Sequence, residues 1–205
     1  MQVRLLQSLD HPNIIKCYGS FWSNPARVFH MVLEFAERGD LAMLINTTKK
    51  RGDTLPEEQI WQLFLPVMRV AAYLHDRDII HRDIKALNVF LTASKDVKVG
   101  DFGVSRVMSP DTLMVDTMYG TPLYLSPELC RNEPYTAKTD IWSCGVLLYE
   151  LCALDTPFPG NMLGVKAVHA DCVLQPWHGY MLSTPARVEN RTSREQAALQ
   201  LLIER

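Results

Sequence analysis

The period of the hydrophobic positions changes several times along this chain. Residues 1–9 read as the end of an amphipathic helix, stopped by Asp10-His11-Pro12-Asn13. From Ile14 to Trp22 and from Val28 to Phe35 the sequence is rich in β-branched and aromatic residues, which predicts two strands joined by a turn at Ser23-Asn24-Pro25. After Glu37-Arg38-Gly39-Asp40 the pattern becomes helical. Pro56-Glu57-Glu58 places proline and acids where a helix start favours them, and Ile60, Leu63, Phe64, Val67, Val70, Ala71 and Leu74 then recur at helical spacing. Short strands are expected at Val89–Leu91 and Val97–Val99, around the polar turn Thr92 to Asp96. A long polar loop is expected from Ser105 to about Thr121, and a helix apolar nearly all round from Thr139 to Leu151. Beyond about Val168, Pro176, Gly179 and Pro185 interrupt the pattern, and a polar helix from Arg191 to Arg205 closes the chain. Two strands leading into a mostly helical region predict an α+β fold in two layers.

Composition narrows the class. The 205 residues are 47% hydrophobic and 21% charged, which suits a globular chain rather than a disordered or collagen-like one. With 21 Lys plus Arg against 23 Asp plus Glu, the net charge is -2, so no large cationic field for nucleic acid or an anionic membrane is expected. Five cysteines with no C-x-x-C pair argue against a disulfide framework or a structural zinc site, and the spacing of Cys144 and Cys152 along a buried helix predicts core thiols rather than metal ligands. Met1 to Leu6 lacks the apolar run of a signal peptide, and Ile141 to Leu154 is interrupted by Glu150 and too short for a bilayer. The expectation is a soluble, cytoplasmic chain.

The chemistry concentrates in His81-Arg82-Asp83-Ile84-Lys85-Ala86-Leu87-Asn88, followed after a short strand pair by Asp101-Phe102-Gly103. One loop carries Asp, Lys and Asn at fixed offsets, and the strand pair delivers a second Asp. Phosphoryl transfer needs such a set: a hydroxyl held in line, divalent metal on the phosphate oxygens, and a cation against the developing charge. Asp83 would orient or deprotonate the hydroxyl, Lys85 would approach the phosphate, and Asn88 and Asp101 offer hard oxygen ligands for magnesium.

These segments resemble the catalytic loop and metal-binding motif of eukaryotic protein kinases. Gly120-Thr121-Pro122-Leu123-Tyr124-Leu125-Ser126-Pro127-Glu128 resembles the end of their activation segment, with Ser126 in place of the common Ala, and Asp140 to Gly145 resembles the central helix of their C-terminal lobe. The resemblance implies a kinase-like fold, with a partial N-terminal lobe and hinge over 1–36, a C-terminal lobe over 37–166 and a divergent tail over 167–205. It implies ATP and Mg2+ as cofactors and a protein substrate. Met31 would be the gatekeeper, and the backbone of Glu34 and Ala36 would meet adenine. Asp140 would anchor the catalytic-loop backbone, and Leu6, Cys17, His81 and Phe102 would stack as a spine. Lys85, with Gly120-Thr121, implies serine/threonine specificity, and the wording of 34–41 and 120–128 is most similar to the NIMA-related kinases. Thr117, four residues before Thr121, would take an activating phosphate that pairs with Arg82. Association with microtubule structures is a further expectation by family analogy.

The chain also departs from that family. No glycine-rich loop or strand with the ATP-binding Lys has a counterpart, and Gln2 stands where the family carries a Glu. Beyond about Lys166 no motif matches, so Glu128 has no evident arginine partner among Arg187, Arg191 and Arg194. A non-catalytic kinase-like scaffold is therefore the alternative to an enzyme. A metal-dependent hydrolase is supported only by His81 and Asp83 in one loop. His30 and His75 read as packing or surface histidines, and His11 as a turn residue.

Overall fold

The computed structural model describes residues 2–25, 27–102, 106–107, 122–131 and 133–157. Helix α1 (Gln2–Ser8) leads into strands β1 (Cys17–Ser23) and β2 (Val28–Leu33), which pair as an antiparallel hairpin. Tyr18, Phe21, Trp22, Phe29, Met31, Val32 and Leu33 of this hairpin are all exposed.

A helical region follows. Asp40 caps α2 (Leu41–Lys50) by accepting the Met43 N–H at 2.7 Å. The long helix α3 (Glu57–His75) begins after Pro56, with Glu57 and Glu58 in its first turn. Every apolar position read at helical spacing, from Ile60 to Leu74, is buried. The helix α5 (Lys138–Ala153) packs against α3, and Val146, Leu147, Leu148 and Leu151 lie in the core beside Phe64, Val67, Val70 and Leu74. Between these helices run β3 (Ile79–Ile80), β4 (Val89–Leu91), β5 (Val97–Val99) and β6 (Arg106–Val107). The short helix α4 (Pro127–Cys130) follows Ser126.

β4 and β5 form the expected hairpin, with Phe90 opposite Lys98. β6 differs from expectation: it lies within the segment read as a polar loop and pairs antiparallel with β3, Ile79 against Val107. The pairing partner supplies the backbone hydrogen bonds that a two-residue run cannot signal in sequence. Gly103, Ser105, Ser109, Thr112, Thr117, Gly120 and Thr121 lie outside the described residues, as does everything from 158 to 205, including the helix expected over Arg191 to Arg205.

Residues 13–15 attach the first strands to the helical region. Val99 N–H donates to Asn13 C=O at 2.7 Å, Ile15 N–H to Val99 C=O at 2.9 Å, and the Asn13 side chain to Val97 C=O at 2.9 Å. His11 Nδ1 accepts the Asn13 N–H at 3.0 Å, which makes it the turn residue expected. The segment after β2 is tied down as well. The Glu34 carboxylate meets Lys98 Nζ at 2.8 Å, with both side chains mostly covered, and accepts the Lys16 N–H at 3.0 Å. Arg38 N–H donates to Leu91 C=O at 3.0 Å, and Leu91 N–H to Gly39 C=O at 2.9 Å.

Candidate active site

The loop between β3 and β4 is built around one carboxylate. Asp140, on the first turn of α5, is fully buried. Its Oδ1 accepts the Arg82 N–H at 2.8 Å and its Oδ2 the His81 N–H at 2.9 Å. This is the anchoring place the motif implied for Asp140. Arg82 has φ 69°, in the left-handed region that a bulky L-residue enters only at a cost of about 1–3 kcal/mol. The two bonds to Asp140 offset that strain at the residue immediately before Asp83.

Asp83 is mostly covered, its side chain 12% exposed. Lys85 Nζ meets both its oxygens, at 2.9 and 2.8 Å. Asn88 Nδ2 donates to Asp83 Oδ2 and to its backbone carbonyl, each at 2.8 Å. The structure thus gathers the three loop residues picked out in the sequence into one charged cluster. A single-turn 3-10 helix over Ala86–Asn88 brings Asn88 back towards Asp83.

Asp101 is positioned by its neighbours. Gly100 N–H donates to Asn88 C=O at 2.9 Å, and His81 Nε2 lies 3.2 Å from Gly100 C=O. A Cβ on Gly100 would stand 2.9 Å from the Phe90 ring, so glycine permits this close approach. Asp101 is exposed and has φ 55°, while Phe102 is buried with its ring 4.7 Å from that of His81. His81 and Phe102 are thereby the touching pair of the expected spine; Leu6 belongs to the same core cluster and Cys17 packs at its edge. Burial, outweighing the Asp140 and Asp83 charges, pushes the His81 imidazole below its ordinary range. The neutral tautomer with hydrogen on Nε2 donates to Gly100 C=O and leaves Nδ1 to accept the Asp83 N–H at 3.3 Å. His81 therefore acts as a structural joint between loop and β5 and not as a base.

The segment from Pro122 to Glu128 is fastened to α5. Ser143 Oγ donates to Tyr124 C=O at 3.1 Å. The Tyr124 hydroxyl donates to the Glu150 carboxylate and accepts the Ala86 N–H at 3.2 Å, bridging this segment to the β3–β4 loop. Burial first, then the Glu150 charge, pushes the Tyr124 hydroxyl far up, so it stays protonated. Glu128, which the sequence left without a partner, accepts from Thr139 Oγ1 at 2.9 Å, and buried Ser126 Oγ lies 3.2 Å from that same Oγ1. Arg82, expected to receive a phosphate at Thr117, is buried with its guanidinium 5.0 Å from the Tyr135 ring centre. Met31 is about half exposed on β2, and Glu34 and Ala36 follow it.

Two sequence readings need correction. Cys152, read with Cys144 as a core thiol, is exposed, while Cys144 is buried. His75 is not a surface or merely packing histidine: its Nε2 lies 2.8 Å from Asp140 Oδ2, and its side chain is 7% exposed. No periodicity reveals a partner 65 positions away. Tyr124 with Glu150, and Ser126 with Thr139, were missed for the same reason.

Among the described residues no group of three or more His, Cys, Asp or Glu could hold a metal ion. Magnesium does not need such a cage, since it takes one or two protein oxygens and fills its shell with water and phosphate. Asn88 fits that role: its Nδ2 is committed to Asp83, which leaves the amide oxygen to serve as a ligand.

The site is thus a buried carboxylate holding a strained loop, with an Asp-Lys-Asn cluster on the loop and an exposed Asp at the end of the adjoining hairpin. The chain belongs to the protein kinase family, whose domain signature matches residues 1–203. That match runs past residue 166, where the motif resemblance in the sequence ends. The relatives are NIMA-related serine/threonine kinases. The chain is 47% identical over 163 residues to human serine/threonine-protein kinase Nek5, covering 79% of this chain and 22% of that protein. It is 38% identical over 209 residues to mouse serine/threonine-protein kinase Nek1, covering 100% of this chain and 17% of that protein. Human serine/threonine-protein kinase Nek2 is 40% identical over 162 residues, 77% of this chain and 36% of that protein. The chain thus spans between 17% and 36% of the length of these relatives.

Proposed function

We propose that this chain is catalytic machinery of a serine/threonine protein kinase, passing the γ-phosphate of ATP to a hydroxyl of a protein substrate. The observation that carries the reading is the Asp83 carboxylate held between Lys85 Nζ and Asn88 Nδ2, on a loop hung from Asp140. Asp83 accepts the hydrogen bond of the incoming hydroxyl and takes its proton as the oxygen attacks phosphorus. Lys85, already against Asp83, sits where a transferring phosphoryl group gathers charge, and offsets it. Asn88 Oδ1 and the Asp101 carboxylate would hold magnesium, which neutralises phosphate charge when bound. Glu34 N–H is used by Lys16 C=O at 2.8 Å, and Ala36 C=O accepts from Gly39 N–H at 3.4 Å. What these residues offer an adenine edge is therefore the Glu34 carbonyl and the Ala36 N–H, one acceptor and one donor. Met31 lies on the strand that leads into them.

The resemblance around Lys85 and Gly120-Thr121 supports Ser and Thr as acceptors, and the relatives' names agree with it. The reading keeps a cytoplasmic setting, with microtubule structures as its family-based refinement; among the described residues no helix is long and apolar enough to cross a membrane.

The test is magnesium-dependent transfer from labelled ATP to a generic acceptor protein, followed by phosphoamino-acid analysis. Asp83→Asn is expected to lower the rate by about 10²–10⁴-fold, with label on Ser and Thr only. Equal rates for wild type and Asp83→Asn would defeat the reading. Nucleotide or partner binding without any transfer would favour the scaffold alternative. The regulatory part is tested separately: Thr117→Ala is expected to lower activity by about tenfold or more, because a phosphate there orders a loop through charge-assisted bonds to Arg82. Unchanged activity in Thr117→Ala would remove it.

A further inference from the structure

Arg82, the residue immediately before Asp83, is held at two points. Its N–H lies on the Asp140 carboxylate at 2.8 Å. Its guanidinium lies over the ring of Tyr135, 5.0 Å from the ring centre. Tyr135 belongs to the short connection between α4 and α5, outside every segment that the sequence picked out for chemistry. Arg82 is buried and the Tyr135 ring is partly covered, so water screens the contact only in part.

That connection is closed on itself. Glu133 N–H donates to Glu128 C=O at 2.8 Å, and Thr139 N–H to Thr136 C=O at 3.0 Å. Thr139 Oγ1 donates to the Glu128 carboxylate at 2.9 Å across the mouth of the connection. The Tyr135 ring is thus presented from a backbone fastened at both ends. An arginine side chain has much rotamer freedom, and a rigid partner at its far end removes part of it. This matters at Arg82, whose φ of 69° is strained and relaxes most readily if the side chain can swing with the backbone.

We infer that Tyr135 is a positioning residue for Asp83, acting through Arg82, a role that rests on the catalytic reading of the β3–β4 loop. The ring tethers the guanidinium while Asp140 tethers the N–H, and Asp83 takes its place from both. The place of Asp83 is therefore set by the α4–α5 connection as well as by α5 itself. An aromatic face attracts a cation through its quadrupole, so the contact needs the ring of Tyr135 and not its hydroxyl.

The test reads loop order and not turnover. Proton spectra and amide hydrogen exchange are followed in the 205-residue chain, in wild type, Tyr135→Phe and Tyr135→Leu. In wild type and Tyr135→Phe the Arg82 side-chain protons should be shifted upfield by the ring, and in Tyr135→Leu that shift should vanish. In Tyr135→Leu the Arg82 and Asp83 amides are expected to exchange about threefold faster or more, with the α3 amides from Ile60 to Val70 unchanged. Tyr135→Phe should keep both amides within about twofold of wild type. A third variant isolates the route. Arg82→Met keeps a stem and loses the cation, so adding Tyr135→Leu to it should change the Asp83 amide by less than about twofold. Wild-type protection in Tyr135→Leu, equal losses in Tyr135→Phe and Tyr135→Leu, uniform acceleration across α3 and α5, no upfield shift in wild type, or a full further loss in the Arg82→Met background would each overturn the inference. Equal transfer rates for wild type and Asp83→Asn would instead defeat the catalytic reading, and would leave the tether itself to be decided by the exchange data.

Discussion

At the scale of single residues, each hydroxyl has one proton to give, and that settles which of Ser126 and Thr139 donates to the other. Thr139 Oγ1 has one proton, and it goes to Glu128 Oε1 at 2.9 Å. Ser126, with its Oγ 3.2 Å from the same Oγ1 and the residue wholly buried, is therefore the donor of that pair. The serine that replaces the family's common alanine thus adds a link between the Pro122–Glu128 segment and α5. Ser126→Ala removes one donor and leaves Thr139 paired with Glu128, so it should cost about 1 kcal/mol. Thr139→Val strands the buried Ser126 hydroxyl and takes a donor from Glu128, so it should cost about 2–3 kcal/mol. The double variant should cost less than the sum, because the stranded hydroxyl is gone. Urea unfolding of the three proteins decides this; strictly additive losses would mean that the two hydroxyls act independently.

At the scale of elements, α3 shows both what the sequence makes legible and what it hides. Its stripe from Ile60 to Leu74 was readable because seven apolar positions, all of them buried, repeat at the helical period over one continuous segment. The β4–β5 hairpin was readable for a similar local reason, two short apolar runs about a polar turn. β3 and β6 were not, since each has two residues and Ile79 finds Val107 through the fold. His75 and Asp140 were separately visible and their pairing was not, because tertiary partners leave no trace in a local period. The Asp-Lys-Asn cluster lay within six residues, so its offsets sufficed to pick it out. One residue of α3 works against the pattern: Pro66 sits inside the helix and lacks the N–H that would bond to Gln62 C=O. A helix that forms regardless is carried by burial of its other face. Pro66→Ala should restore that bond and raise stability by about 1–2 kcal/mol, after an offset for the freer unfolded chain. Thermal unfolding reads the gain. A fall in melting temperature would show that neighbouring side chains pack around a bend fixed by the proline.

At the scale of the whole molecule, α5 is the common post. Asp140 carries the β3–β4 loop, Thr139 and Ser143 carry the Ser126 and Tyr124 ends of the next segment, and the Tyr124 hydroxyl ties Glu150 to Ala86. Charge placed in that core makes stability depend on pH, and His81 sets the direction. Burial lowers its pKa in the folded chain, whereas the unfolded chain protonates it near pH 6.5. As pH falls below 6.5 the unfolded state binds a proton that the folded state refuses, so stability drops by up to about 1.4 kcal/mol per pH unit until the lower folded value is reached. His11 adds to the same trend more weakly, its pKa lowered by partial burial and then by Arg69, Arg77 and Lys98. Glu150 opposes it at the acid end. Burial raises its pKa, so the folded carboxyl takes up a proton before the unfolded one does, and acidification towards pH 4.5 regains stability there. The expected urea midpoint therefore declines as the pH falls below about 6.5. His81→Asn should start from lower stability, having lost the Phe102 contact, yet decline less steeply over that interval by up to one proton. An equal slope in His81→Asn would place the proton uptake on other groups and remove His81 as its source.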